Sequence, residues 1–307
     1  MLEKFEIRSV DQKTSLQGYH WSCEDPWAVL QVTHGMAEHL LRYEKLAEYF
    51  NEQGVVVIGH DHLGHGASAQ AGMQGYFHDK KIKHGLVQDL YQVTEWGKIH
   101  YSDLPFFILG HSMGSFVLRN YLYDYGEKID GAILMGTGQQ PVWMTRFGQQ
   151  SAKLLSKLQG EKHYSKLIDH LAFGNMNRKI FNKRTDKDWL STLSTEVDAY
   201  LADPNCGFLF TLSGYQELFS LIIRSQDSEL LKKVPKDLPL LFLSGKEDPV
   251  GDFGKGVMKA AGAYRAAGSK HVTVRLYENA RHELLNETQK VTVFHDICIW
   301  MENLSRK

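Results

Sequence analysis

The sequence has 307 residues, of which 43% are hydrophobic and 11% aromatic, enough to bury a full core and to exclude a disordered chain. Lysine and arginine number 35 against 36 acidic residues, so the charge is nearly balanced and nucleic acid is not an expected partner. The N-terminus lacks the pattern of a secretory signal, and no apolar run approaches the ~18 residues of a membrane span. We therefore expect a cytoplasmic protein.

The three cysteines are widely separated and odd in number, a pattern that predicts neither a disulfide framework nor a paired zinc motif. We expect reduced thiols at Cys23, Cys206 and Cys298.

The chain opens with two polar-alternating segments, 5–10 and 16–22, which predict an antiparallel hairpin at a sheet edge. Short apolar runs then alternate with helical patterns of about 12 to 18 residues, as in βαβ units. The runs that predict buried parallel strands are 28–32, 55–58, 106–109, 132–135, 238–243 and 272–276.

The strand pattern stops over residues 139–235, where amphipathic helical stretches such as 147–158 replace it. We therefore predict an α/β fold in which residues 1–138 and 236–307 form a mostly parallel central sheet flanked by helices. Residues 139–235 are predicted to form an inserted helical cap.

The pentapeptide Gly-His-Ser-Met-Gly at 110–114 lies between a predicted strand and a predicted helix. A sharp turn in this context exposes the central hydroxyl at a helix N-terminus, where developing negative charge is stabilised. Ser112 is therefore the predicted nucleophile.

A serine nucleophile needs a histidine base and a group that orients it, in the chain order serine, acid, histidine for this kind of turn. Asp248 and His282 each follow a predicted strand and would reach the same sheet edge as Ser112. Asp252 is the alternative acid, whereas His271 and His295 are predicted at the wrong edge and within a helix.

The loop after the first buried strand, Thr-His-Gly-Met-Ala-Glu-His at 33–39, is where an oxyanion-binding amide is expected. We assign the two oxyanion-binding amides to Met36 and Met113. His34, Gly35 and Glu38 are predicted to support the shape of the loop.

Three further histidines, His60, His62 and His65, are similar to the start of a dinuclear zinc motif. That motif requires H-x-H-x-D-H, but here Asp61 stands between the first two histidines and Gly64 occupies the position of the aspartate. We expect a polar loop packed beneath the site, with no metal and no cofactor.

Together these segments resemble the monoacylglycerol lipase and lysophospholipase branch of the α/β-hydrolases. The resemblance rests on the H-G-x-x-E-H loop, on D-H-x-G-H-G at 61–66, on G-H-S-M-G and on Asp248-Pro249, and the cap is similar to that of bacterial members. It implies a capped, metal-free serine enzyme that hydrolyses single-acyl lipid esters, with transient contact between the cap and a membrane surface. The branch commonly has two small residues where this chain has Met36-Ala37, which leaves the acyl preference open.

Three other functions stay open: an esterase of small soluble esters, an aminopeptidase, and a non-catalytic binding protein. An aminopeptidase would need an acidic cap, but residues 139–235 contain ten acidic and thirteen basic residues. A lipid substrate would need an apolar tunnel, for which the cap offers Leu154, Leu155, Leu158, Leu167, Leu171, Phe173, Phe208, Phe210, Leu218 and Phe219.

Overall fold

The computed structural model describes residues 1–70, 72–77, 82 and 84–305. Eight strands in this part of the chain form one sheet: β1 (Leu2–Arg8), β2 (Ser15–Trp21), β3 (Ala28–Thr33), β4 (Val55–His60), β5 (Phe106–His111), β6 (Gly131–Met135), β7 (Leu240–Gly245) and β8 (Val272–Tyr277). Their spatial order is β1-β2-β4-β3-β5-β6-β7-β8. The pairs β1–β2 and β2–β4 are antiparallel, and all the others are parallel. The predicted edge hairpin and the mostly parallel sheet are confirmed.

Helices cover both faces of the sheet, which explains why strands β3 to β7 consist of nearly unbroken apolar residues. One hydrophobic cluster contains Ile58 and Ile108, and a second cluster, on the opposite face, contains Val57 and Leu109. The helices are α1 (Glu44–Glu52), α2 (Gly85–His100), α3 (Met113–Tyr125), α4 (Val142–Gln159), α5 (Lys166–Phe173), α6 (Ser194–Ala202), α7 (Leu212–Arg224), α8 (Ser228–Leu231), α9 (Lys255–Ala266) and α10 (Lys290–Ser305).

The segment between β6 and β7 contains helices α4 to α8 and lies where the strand pattern of the sequence stops. Helix α4 packs against α7 through small residues, and a Cβ added at Gly148 would lie 3.0 Å from the ring of Phe219. Small side chains on this face let the two helices approach closely. No helix among the described residues is both long enough and apolar enough to cross a membrane.

The structure corrects part of the predicted acyl tunnel. Leu154, Leu158, Leu167 and Leu171 are each more than half exposed on the outside of α4 and α5. Phe210, Leu218 and Phe219 are buried in the hydrophobic cluster that contains Ile108, and Leu155 is partly buried against it. The remaining two tunnel candidates, Phe173 and Phe208, line a cavity over the carboxyl edge of the sheet.

Candidate active site

Ser112 lies in the sharp turn between β5 and α3, at the N-terminus of that helix. Its backbone has φ 52° and ψ −117°, a conformation that L-residues rarely adopt and that persists only when the surroundings impose it. Gly114 permits the turn, because a Cβ there would lie 2.1 Å from the carbonyl oxygen of Thr33 on β3. The two flanking glycines therefore let the turn pack directly on the sheet edge.

His282 and Asp248 lie together at the same edge, with His282 Nδ1 3.0 Å from Asp248 Oδ1. Both side chains are almost fully buried. The Asp248 carboxylate also accepts a hydrogen bond of 2.8 Å from the amide of Val250, which fixes its orientation. Gly136, with φ +60°, makes room for the imidazole, since a Cβ there would lie 2.9 Å from its Cε1 atom.

The competing residues lie elsewhere. Asp252 is on the surface, where its carboxylate pairs with Arg178 at 3.0 Å. His271 and His295 are exposed, the first next to β8 at its amino end and the second on α10. Of the weighed candidates, Asp248 is therefore the acid that contacts His282.

The loop of residues 34–39 lies beside Ser112, and a Cβ added at Gly35 would be 3.2 Å from the Cβ of Ser112. Among the described residues, neither the amide of Met36 nor that of Met113 has a hydrogen-bond acceptor. Both residues lie beside Ser112: Met36 lines the same cavity, and Met113 is the next residue in the chain and the first of α3. The arrangement leaves two amide donors for a developing oxyanion.

His34 and Glu38 hold this loop through hydrogen bonds to its backbone. His34 donates from Nδ1 to the carbonyl oxygen of Gly35 at 2.8 Å, because its Nε2 accepts from the amide of His62 at 3.0 Å. Glu38 accepts a 2.5 Å hydrogen bond from the amide of Gly35. His34 and Glu38 therefore both hold the backbone of Gly35, beside Ser112.

A buried charge network surrounds Glu38. Its carboxylate lies 2.7 Å from Arg42 Nη1 and 3.1 Å from His111 Nδ1, and Arg42 also forms two hydrogen bonds to Glu283, at 2.8 and 2.7 Å. Burial alone would raise the pKa of Glu38, but the hydrogen bond from His111 and the charge of Arg42 hold it well below its usual range. Burial likewise opposes charge on His111, yet its hydrogen bond to Glu38 raises its pKa.

The histidines of the D-H-x-G-H-G segment lie beneath this loop. His65 Nε2 accepts from the amide of Ala37 at 3.2 Å, and His62 Nε2 lies 2.8 Å from the hydroxyl of Thr33. Burial lowers the pKa of His60 and of His65 to about 3, so both are neutral. Their positions fit the predicted role of packing beneath the loop of residues 34–39, which we call the oxyanion loop.

The structure places further residues at the site that no sequence pattern indicated. The segment between β6 and β7 contacts the His282 loop through its backbone, since the carbonyl oxygen of Leu190 accepts from the amide of Glu283 at 2.7 Å. The ring of Trp189 lies 5.0 Å from that of His282. A cavity of about 50 Å³ lies over Ser112, and the residues between β6 and β7 that line it are Asp169, Phe173, Lys187, Trp189, Leu190, Tyr200 and Phe208.

Comparisons with known proteins identify the family of this chain. Residues 24–289 match the family described as "Serine aminopeptidase, S33". The chain is 30% identical over 284 residues to human monoglyceride lipase, covering 90% of this chain and 82% of the relative. It is 31% identical over 281 residues to a phospholipase of Bacillus subtilis, covering 89% of this chain and 95% of the relative.

The fold also matches solved structures. A thermostable carboxyl esterase from Bacillus coagulans, solved in complex with glycerol, superimposes with a TM-score of 0.93 at 27% identity, covering 99% of each chain. Because the family match and the human relative each span most of the sequence, the chain belongs to the serine aminopeptidase S33 family, among its monoglyceride-lipase-like and lysophospholipase-like α/β-hydrolases.

Proposed function

We propose that the chain is a serine carboxylic ester hydrolase that cleaves single-acyl lipid esters, monoacylglycerols or lysophospholipids, through an acyl-enzyme on Ser112. The observation that carries the proposal is a strained serine next to a buried His282–Asp248 pair, at a cavity that is also lined by apolar side chains such as Phe173 and Phe208. The names of the relatives, a monoglyceride lipase and a phospholipase, support the lipid ester as substrate.

The reaction follows from the donors and acceptors around Ser112. Because Nδ1 of His282 is committed to Asp248, Nε2 is left to accept the hydroxyl proton as Ser112 Oγ attacks the ester carbonyl. The amides of Met36 and Met113 stabilise the oxyanion, and His282 then protonates the departing alcohol. Water, activated by the same histidine, hydrolyses the acyl-enzyme and releases the fatty acid.

We further propose that residues 139–235 act as a cap that controls access to this site. The cavity of about 50 Å³ is far smaller than the roughly 300 Å³ at which drug-sized ligand pockets begin. An acyl chain therefore requires the cap to move, and Phe173 and Phe208 are the apolar side chains that would line the widened space.

A lipid surface is the proposed partner of the outer face of this cap. Trp143, Phe147, Leu154 and Leu158 follow one face of α4, and each is more than half exposed. Basic side chains at Arg146, Lys153 and Lys157 lie on the same helix. An exposed apolar stripe with basic neighbours binds at an interface of anionic lipid, so we propose a peripheral membrane protein. Its cytoplasmic location stays a prediction.

The alternative function is that of an esterase of small soluble esters. Two observations favour it: the small volume of the cavity, and the similarity in fold to the carboxyl esterase from Bacillus coagulans. Comparing kcat/KM for glycerol monoesters of acetate, octanoate and oleate separates the two. Each buried methylene contributes about 0.8 kcal/mol, so a lipid hydrolase should gain specificity through the medium chain lengths. A clear preference for acetate would refute the lipid assignment and support the small-ester alternative.

The family description makes an aminopeptidase the remaining alternative. Of the carboxylates that line the cavity, Glu38 and Glu283 are both paired with Arg42, and Asp169 accepts a 2.7 Å hydrogen bond from the hydroxyl of Tyr215. The same assay should therefore include an amino-acid anilide with a free amine, for which we expect no turnover.

A further inference from the structure

Three side chains with metal-binding atoms meet at the junction between the oxyanion loop and the cap. They are His39, at the end of that loop, and Asp203 and Cys206, in the turn that follows α6. One ligand atom from each lies within 4.8 Å of the others, and His39 Nε2 is 2.8 Å from Asp203 Oδ2. These three residues are separate from Ser112, His282 and Asp248, and the spacing of the cysteines did not predict that they would meet.

Imidazole nitrogen, carboxylate oxygen and thiolate sulfur are the three ligand types that proteins offer to zinc. Zinc bonds of about 2.0 to 2.3 Å place tetrahedral ligand atoms roughly 3.4 to 3.7 Å apart. Three atoms within 4.8 Å can converge on one ion through small side-chain rotations. The thiolate favours zinc over magnesium or calcium, which prefer oxygen ligands.

The groups around His39, Asp203 and Cys206 are compatible with a bound cation. Asp203 Oδ1 accepts a 2.8 Å hydrogen bond from the amide of Asn205, which orients the carboxylate and leaves Oδ2 directed at His39. The side chains of His39 and Asp203 are 12% and 29% exposed, so an ion can reach them from solvent. Arg42 is close enough to interact with Cys206, but its charge is already balanced by Glu38 and Glu283.

We propose that His39, Asp203 and Cys206 bind a zinc ion, with water as the fourth ligand and the thiol proton of Cys206 released to solvent. The ion would fasten the cap to the oxyanion loop, because Gly207, the residue after Cys206, already donates from its amide to the carbonyl oxygen of Ala37 at 2.9 Å. Phe208, the next residue, lines the cavity over Ser112. Zinc therefore restrains the segment that must move to admit an acyl chain.

Binding is tested without reference to catalysis, by calorimetry with zinc chloride and by absorption with cobalt(II), on protein that carries no histidine tag. We expect one ion per chain and a thiolate-to-cobalt charge-transfer band. His39→Gln, Asp203→Asn and Cys206→Ser should each weaken zinc at least about tenfold, and Cys206→Ser should remove the band. Cys23→Ser is the matched control and should bind as the wild type does. If zinc does not bind, or if Cys206→Ser binds zinc with unchanged affinity, the proposed zinc site is wrong.

The effect on turnover rests on the proposed function and needs a second measurement. Saturating zinc should lower hydrolysis of the oleoyl monoester about fivefold or more relative to the acetyl monoester, and a chelator should restore it. Cys206→Ser should be insensitive to zinc. If zinc still inhibits Cys206→Ser, or inhibits hydrolysis of both esters equally, the proposal that zinc restrains the cap is wrong. Failure to hydrolyse either ester without zinc would instead refute the proposed function and leave the binding result intact.

Discussion

The sheet edge and the outer cap differ in how their side chains are held. At the sheet edge, Asp248 and His282 are almost fully buried and hydrogen-bonded to each other. On the outer cap, Trp143 and Phe147 are 72% and 64% exposed, with apolar rings facing solvent. The first region is organised before any substrate arrives, whereas the second has apolar surface left for a further contact.

This contrast suggests that the sheet edge carries out the reaction and that the outer cap controls how the substrate reaches it. A catalytic group contributes only when its geometry is fixed, so its neighbours must be packed and hydrogen-bonded. A cap that admits a lipid must expose apolar surface and change shape. Substitutions at the sheet edge should therefore change kcat for every ester, and substitutions on the outer cap should affect only substrates presented in a lipid surface.

The largest of the effects predicted here comes from Asp248→Asn. An amide at this position can stabilise the wrong tautomer of His282, so we expect kcat to fall by about 10⁴ for acetyl and oleoyl esters alike. Asp252→Asn is the matched control, since that carboxylate pairs with Arg178 on the surface. Steady-state kinetics of both variants check the assignment, and the reverse order of effects would show that Asp252 is the acid.

Glu38→Gln should have the next largest effect. The amide cannot balance the buried charge of Arg42 or replace the carboxylate as the partner of His111, and breaking such a network costs about 3 to 5 kcal/mol of unfolding free energy. Glu44→Gln, at an exposed position of α1, is the control. Urea unfolding at pH 7 measures the difference.

The same variant has a predicted pH dependence. Because the pKa of Glu38 is lowered in the folded protein, its stabilisation is present above the ordinary value of 4.5 and is lost as the pH falls through the folded value. The stability difference between wild type and Glu38→Gln should therefore shrink on acidification below pH 4.5. A difference that stays constant down to the acid unfolding of the wild type would contradict the role of the carboxylate charge.

The smallest of the effects predicted for these substitutions is that of the double substitution Trp143→Ser and Phe147→Ser. Loss of two exposed rings should reduce hydrolysis of a monoacylglycerol in anionic vesicles about tenfold and leave the acetyl ester unchanged. Ile99→Ser is the control, because Ile99 is 80% exposed on a core helix. Vesicle sedimentation reports binding directly, and equal binding of all three proteins would exclude the α4 face as the docking surface.

The candidate catalytic residues could be placed at one sheet edge from the sequence because they depend on short local patterns. Ser112 directly follows β5, and Asp248 and His282 follow β7 and β8 within a few residues. Parallel strands end at one edge of a sheet, so the fold class alone brings the three segments together. The network of Arg42 and Glu283 had no such signal, because its partners are 241 residues apart in the chain.

The cap was harder to predict because helical periodicity does not reveal which face is covered. The buried face of α4 carries Thr145, Gly148, Ala152 and Ser156, small residues that allow close packing on α7. Its large apolar residues point outward, so Leu154 and Leu158 were wrongly predicted to line the acyl tunnel. Trp189, which contacts His282, lies in a polar segment with no periodic pattern.

The central claim is that Ser112 carries the acyl group, and covalent labelling by a fluorophosphonate tests it most directly. Intact mass should show one adduct on the wild type, and peptide mapping should place it on Ser112. Ser112→Ala should remain folded and take up no label. Ser156→Ala, which changes a buried hydroxyl in the cap, should label as the wild type does. Undiminished labelling of Ser112→Ala, or an adduct mapped to another residue of the wild type, would contradict the account.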